Sequence, residues 1–242
     1  MAPSLCDVGL IHGRTSVETS EVEATYSAWG ASYASEIRAY GYACPERMAA
    51  LAAELLRARG AGTPGAPRRP SRILDAGCGA GLQAESLRRE GVLVPGGELH
   101  GVDVSRPLLE LCAAAESSHN MKQGYDALHV ADLNAPGALA ALFPEPDRFD
   151  LTLCVGVLTY VHERGVLREL ARVTAPGGFV LFTSRCEKAA PWEAEAGTLE
   201  EERVWAERRR TDPEPFLPNH PAYADEVKYR AYAFEILPRV DE

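Results

Sequence analysis

The sequence predicts an α/β fold, doubly wound around a largely parallel sheet, and three observations point to it. A glycine-rich stretch, Ile73-Leu74-Asp75-Ala76-Gly77-Cys78-Gly79-Ala80-Gly81, separates a short apolar run from a segment with helical apolar spacing. A second apolar run ends in Asp103, about twenty residues further on. Short apolar runs then alternate with helical patterns as far as Ser184, the signature of strand-helix-strand units. With 242 residues, 46% of them hydrophobic, the chain suits one compact unit of this class. Within it, residues 1–70 read as an N-terminal arm, helical lid and linker, and residues 71–242 as the α/β domain.

In chain order, residues 1–17 lack periodicity and read as a loose arm. A helix is predicted to start at Ser20, where Ser20 and Glu23 match a capping box, and Val22, Tyr26, Trp29 and Tyr33 form an aromatic stripe at helical spacing. A further helix begins near Cys44 with Pro45 in its first turn, carries Met48, Leu51 and Leu55 on one face, and stops at Gly60. The Gly- and Pro-rich segment from Gly60 to Pro70 is a linker. Arg72 to Ala76 reads as a buried strand, and Leu82, Ala84 and Leu87 give the next helix its apolar face, with Gly91 as its stop. Glu98 to Asp103 is the next strand, followed by a helix capped by Ser105 with Pro107 in its first turn. Ala127–Ala131 and Phe149–Val155 are strands, Val166–Val173 is a helix, and Phe179–Ser184 is a fifth strand after the Pro176-Gly177-Gly178 turn. A charged helix is expected from about Thr198 to Arg210, then a proline-punctuated stretch through His220 and Pro221. The alternating run Val227–Ile236 suits an antiparallel edge hairpin.

The composition narrows the function classes. A net charge of −10 and a pI near 5.2 disfavour a surface that tracks nucleic-acid phosphates, and Arg68-Arg69 and Arg208-Arg209-Arg210 are short clusters in acidic or proline-rich surroundings. The cysteines at positions 6, 44, 78, 112, 154 and 186 show no Cys-x-x-Cys or metal-like His spacing, so buried thiols are expected and no metal. No apolar run approaches the ~18 residues that span a bilayer, and no secretory signal opens the chain, so a cytoplasmic protein that binds no membrane is expected.

The glycine loop and Asp103 describe a pocket for an adenosine-type ligand. Glycines at alternate positions leave no Cβ between backbone and ligand, and a carboxylate ending the second strand is placed to accept ribose hydroxyls. Dinucleotide folds prefer Gly-x-Gly-x-x-Gly, with pyrophosphate on the helix N-terminus, whereas here the spacing is Gly77-x-Gly79-x-Gly81. Asp75, two residues before the loop, would repel a pyrophosphate and favour an ammonium group, directly or through water. Both features favour S-adenosylmethionine over a nicotinamide cofactor, although an NAD-linked oxidoreductase stays open at this point.

With the element order added, the chain resembles class I S-adenosylmethionine-dependent methyltransferases from about Val22 to Ile236. Asp75 through Gly81 resembles motif I, Asp103 the ribose acid, Ala131-Asp132-Leu133 the adenine-edge segment, Phe149-Asp150 through Gly156 motif IV, and Arg172-Val173 with Pro176-Gly177-Gly178 the lead into strand five. The prelude from Tyr26 to Tyr33 and the tail Leu217-Pro218-Asn219-His220-Pro221 are similar to the methyltransferase-like protein 27 group of the Williams-Beuren syndrome region, with Ser27 and Ala34 where that group usually has Asp.

The resemblance implies a seven-stranded sheet, six strands parallel and one antiparallel, behind an N-terminal helical prelude. It also implies a cofactor site of Tyr33, Asp75, Gly77, Cys78, Gly79, Gly81, Asp103, Val104, Ala131, Asp132, Leu133 and Val155. In it, Gly77 and Gly79 approach the methionine moiety, Asp103 the ribose, Val104 the adenine face and Asp132 the adenine amino group. Val155 and Gly156 lie near the sulfonium, and Tyr33 belongs to an aromatic lid.

Tyr160 and His162 follow the fourth strand in Val157-Leu-Thr-Tyr-Val-His and are the candidate catalytic residues, His162 having the natural pKa for deprotonating an acceptor. Arg185, Trp192 and His220 are candidates to close the substrate mouth. Methylases of planar exocyclic amines carry Asn/Asp-Pro-Pro-aromatic where this chain has Cys154-Val155-Gly156-Val157, so a small-molecule acceptor is expected. A protein that binds S-adenosylmethionine without turnover is the remaining alternative, because methyl transfer needs no signature base. The sequence leaves the oligomeric state open.

Overall fold

The computed structural model of the protein describes residues 17–62, 72–117, 124–144, 148–221, 223–224 and 226–238. The N-terminal arm and most of the predicted linker lie outside these residues. Three helices come first: α1 (Thr19–Trp29), α2 (Tyr33–Ala39) and α3 (Cys44–Gly62), the first two joined by a 3₁₀ turn at Gly30–Ser32. The α/β unit follows as β1 (Arg72–Ala76), α4 (Leu82–Arg89), β2 (Glu98–Asp103), α5 (Arg106–Ser117), β3 (Ala127–Val130), α6 (Ala138–Leu142), β4 (Phe149–Cys154), α7 (Val166–Val173) and β5 (Thr174–Arg185). It closes with α8 (Ala190–Glu201), β6 (Trp205–Arg210), the two-residue β7 (Glu214–Pro215) and β8 (Lys228–Ile236).

The strand order is β3-β2-β1-β4-β5-β8-β6, with β7 paired to β8. β1 lies between β2 and β4, and β3, β2, β1, β4 and β5 pair in parallel. β8 runs antiparallel to both β5 and β6, so β6 points the same way as the first five strands. Six long strands are thus mutually parallel and one is reversed.

A sheet covered on both faces buries both sides of each strand, and the alternation is visible here. Ile73, Leu151, Leu153, Phe179 and Leu181 pack with Met48, Leu87 and Leu109 of α3, α4 and α5. Leu74, Val180 and Phe182 face the other way, onto Leu139, Leu167, Leu170 and Leu199 of α6, α7 and α8. On that second face, Trp205 stacks on Phe234 at 4.3 Å and Phe182 on Tyr232 at 4.8 Å, which ties the antiparallel end to the core.

Four local expectations are corrected. α1 starts at Thr19 and its N-cap is Glu18, which makes no side-chain capping bond, so Ser20 and Glu23 form no capping box. The predicted charged helix is two elements, because Trp205 to Arg210 is strand β6. Burial of Trp205 against Phe234, with its Nε1 donating to the Ala196 carbonyl at 3.1 Å, outweighs the helix propensity of the Glu/Arg-rich run. Arg203, at φ 59°, turns the chain between helix and strand. The Val227–Ile236 run forms β8, which sits between β5 and β6 and is no sheet edge. Pro176-Gly177-Gly178 lies inside β5, where the pairing with β4 slips between Phe149 and Leu151, so the predicted turn is a bulge in a longer strand.

Candidate active site

In open α/β sheets a crevice forms beyond the carboxyl ends of the strands where the strand order reverses, here between β1 and β4. The loop after β1 builds its floor. Gly77 has φ +85°, and a Cβ there would stand 2.1 Å from Cγ2 of Val157 in the loop after β4, so the two loops touch through a position only glycine can occupy. The amides of Gly77 and Cys78 donate to the Val102 carbonyl of β2 at 2.7 and 3.0 Å, which seats the loop on the neighbouring strand. The Gly79 amide donates to Oδ2 of Asp103 at 2.8 Å, and the Ser105 amide donates to Oδ1 at 2.8 Å. The Asp103 carboxylate is therefore held rigidly by backbone. Burial pushes its pKa up, opposed by the amides of Ser105, Gly79 and Val104.

Around this carboxylate lies a cavity of about 1090 Å³, including the part open to solvent. Gly77, Gly79, Asp103, Val104, Ala131, Asp132, Leu133, Val155 and Tyr160 line it, as does Tyr33 in the α1–α2 wall. Ala131 is seated by its amide, which donates to the Asp103 carbonyl at 3.0 Å and carries the β2–β3 pairing into the cavity wall.

Tyr26, Trp29 and Tyr33 pack edge to face, Trp29 to Tyr33 at 4.8 Å and Tyr26 to Tyr33 at 5.6 Å. Tyr26 Oη donates to Tyr160 Oη at 3.0 Å, so the lid is hydrogen-bonded to the loop after β4. The stripe is both core and cavity wall: Trp29 is 2% exposed and packs with Ile37 and Leu217, yet it also faces the cavity.

Several predicted residues stand elsewhere. Asp75 is buried behind the loop and accepts a 2.6 Å hydrogen bond from Tyr125 Oη, so it does not line the cavity to meet an ammonium group. Its pKa is pushed up to about 7, mainly by burial, which the Tyr125 hydrogen bond partly offsets. The Cys78 side chain turns under the loop towards Gly101, and Gly81, at φ +83°, faces Cys112 and Tyr125. His162 is exposed and outside the cavity wall, and its amide donates to Asn134 Oδ1 at 2.9 Å. It is not placed as a general base. Trp192, on α8, is buried in the core, and His220 stacks on Tyr223 at 4.3 Å away from the cavity, so of the three mouth candidates only Arg185 reaches it.

The sequence reading missed Thr19, Glu23, Asn134, Phe216 and Leu217 in the wall. Asn134 joins three segments: Nδ2 donates to Thr19 Oγ1 at 3.2 Å and to the Tyr160 carbonyl at 3.3 Å, while Oδ1 receives the amides of His162 and Glu163. Its own amide donates to Asp132 Oδ1 at 2.8 Å, an Asx turn that the Asp-Leu-Asn spacing announces. Ser27, where the similar group usually has Asp, keeps a polar partner: its hydroxyl lies 3.0 Å from that of Ser105, the residue that caps α5.

Residues 74–182 match the sequence family described as the methyltransferase domain. The chain has the fold of class I methyltransferases, and its residues 74–182 are similar to a methyltransferase domain. Similar curated proteins include ubiquinone biosynthesis O-methyltransferases from Ralstonia nicotianae, 32% identical over 120 residues, and from Serratia proteamaculans, 29% identical over 121 residues. These alignments cover 49% and 50% of this chain and 45% of each relative, so the match spans less than half of those proteins. Among solved structures, the N-methyltransferase NodS from Bradyrhizobium japonicum in complex with S-adenosylhomocysteine aligns at a TM-score of 0.50 and 21% identity, over 76% of this chain and 85% of that one. The [4+2]-cyclase SpnF aligns at a TM-score of 0.52 and 15% identity, over 79% and 80%.

The matched relatives are methyltransferases and one similar structure holds S-adenosylhomocysteine, which favours, over the nicotinamide alternative, S-adenosylmethionine. The cavity fits it. Trp29 Nε1 is buried in the wall with no hydrogen-bond partner among the described residues, a donor suited to a ligand oxygen, and Gly79 leaves the floor open, with only Leu108 Cδ1, at 3.9 Å, within reach of a Cβ. Among the described residues no helix is long and apolar enough to cross a membrane, and no group of three or more His, Cys, Asp or Glu could hold a metal ion.

Proposed function

We propose that the protein transfers the methyl group of S-adenosylmethionine to a small-molecule acceptor by in-line displacement. The observation that carries this reading is the Asp103 carboxylate, fixed by the Gly79 and Ser105 amides in the wall of a lidded cavity within a methyltransferase domain. In this reading Asp103 holds the ribose hydroxyls, Gly77 and Gly79 present backbone to the methionine moiety, and Tyr33 closes over its end. Val104, Ala131, Asp132 and Leu133 bracket the adenine, and Val155 borders the sulfonium. The cofactor brings the reactive carbon and its leaving group, so the protein's work is alignment and exclusion of water.

Tyr160 has its pKa pushed up to about 12, chiefly by burial, so it acts as a neutral hydrogen-bonding wall that orients the acceptor. An oxygen acceptor is favoured because the matched relatives are O-methyltransferases. The prelude and the Leu217–Pro221 tail support the finer grouping with methyltransferase-like protein 27, since Tyr26, Trp29, Tyr33 and Leu217 all border the cavity. A cytoplasmic setting suits the buried free thiols of Cys44, Cys78 and Cys154.

A cyclase on the same fold keeps a second reading in play, cofactor binding without methyl transfer. Incubation with methyl-labelled S-adenosylmethionine and a fractionated metabolite extract separates the two. Transfer of label to a small molecule, lost in Asp103→Ala, supports the proposal; cofactor binding with no labelled product from any fraction supports the second reading.

A further inference from the structure

The cavity is electrostatically divided. Asp103 and Asp132 line its β2–β3 end and Glu23 the lid, whereas Arg185, the last residue of β5, lies across β1 and β4 from them. Among the described residues Arg185 is the sole Lys, Arg or His in the wall, and it is only 7% exposed. Its Nη2 meets Glu187 Oε1 at 2.6 Å, and the Glu187 side chain is 46% exposed, so this partner approaches from the solvent side. A smaller cavity of about 190 Å³ adjoins Arg185 and shares Phe216 and Leu217 with the main one. Tyr160, which faces the main cavity, feels the positive charge of Arg185.

A cation this buried is costly to desolvate, and at a pocket wall a guanidinium presents a planar fork of donors that matches a carboxylate. With the cofactor's cationic and ribose groups drawn to the acidic end, a negatively charged acceptor has one favourable place, beside Arg185, in a wall that also carries the rings of Tyr160 and Phe216. We propose that the acceptor is a small aromatic molecule bearing a carboxylate, and that Arg185 binds this carboxylate. Arg185 is a specificity residue in this role and takes no part in methyl transfer. The inference rests on the methyltransferase reading above.

The test is calorimetry on the full chain saturated with S-adenosylhomocysteine, using 4-hydroxybenzoate and 4-hydroxyphenylacetate as probes, with the corresponding amides as uncharged controls. The carboxylates are expected to bind at least about tenfold more tightly than the amides, as one charge-assisted contact predicts. Arg185→Gln should abolish that preference while S-adenosylhomocysteine affinity stays within about twofold. Glu187→Gln, which removes the competing carboxylate without touching the guanidinium, should tighten the carboxylate probes and serves if Arg185→Gln does not fold. Equal binding of acids and amides, binding of neither, an acid preference that survives Arg185→Gln, or weaker acid binding in Glu187→Gln overturns the proposal. If the wild-type chain fails to bind S-adenosylhomocysteine, the methyltransferase reading falls instead.

Discussion

Asp103 and Asp75 are carboxylates on adjacent strands with opposite duties. Asp103 faces the cavity, and two amides keep it in place. Asp75 lies behind the loop, where burial raises its pKa to about 7 and Tyr125 donates to it. Because its folded pKa lies above the unfolded one, the folded state binds the extra proton, and this group costs stability progressively as pH rises from about 4 through 7. Asp75→Asn, which still accepts from Tyr125, should be more stable than wild type by about 1–3 kcal/mol at pH 8.5 and nearly equal to it at pH 4, measured by urea unfolding. A gap that is constant with pH would contradict the assignment. At Gly77 the left-handed backbone and the contact with Val157 both exclude a side chain. Gly77→Ala should cost at least about 1–2 kcal/mol in stability and weaken S-adenosylhomocysteine binding, read by thermal melting and calorimetry. His162→Ala should leave turnover within about twofold, since the ring is exposed and outside the cavity wall; a loss beyond about tenfold would restore it as a candidate base. Asp103 was legible in the sequence because a strand-ending acid announces itself by spacing. The turning away of Asp75 and Cys78 was not legible, because side-chain direction in a loop depends on Tyr125, Gly101 and Cys112, which arrive from other elements.

At the scale of elements, local pattern succeeded where burial and periodicity agreed and failed where tertiary contacts decided. β1, β2, β4, α5 and α7 stand close to where apolar period and caps put them, and Ser105 does cap α5. β6 was unreadable because Trp-Ala-Glu-Arg-Arg-Arg has helical composition, and only pairing with β8 and the Trp205–Phe234 stack make it a strand. Trp205→Ala should cost about 3–5 kcal/mol in denaturant unfolding and loosen the antiparallel end of the sheet, with S-adenosylhomocysteine affinity kept under native conditions. A cost under about 1 kcal/mol would mean that the strand is not anchored as described.

For the molecule as a whole, the central sheet supplies two loops in contact, after β1 and after β4, and the N-terminal helices roof them with tyrosines and a tryptophan. The parallel half was legible because strand and helix alternate. The interior position of β8 was not, since an alternating terminal run reads equally well as an edge. The central claim is that this architecture grips S-adenosylmethionine through Asp103. Titration calorimetry of the full chain with S-adenosylhomocysteine tests it most directly. Saturable one-to-one binding is predicted, weakened at least about a hundredfold in a folded Asp103→Ala variant as two charge-assisted hydrogen bonds are lost. A folded wild-type chain that shows no binding, or an Asp103→Ala variant that binds equally well, would contradict it.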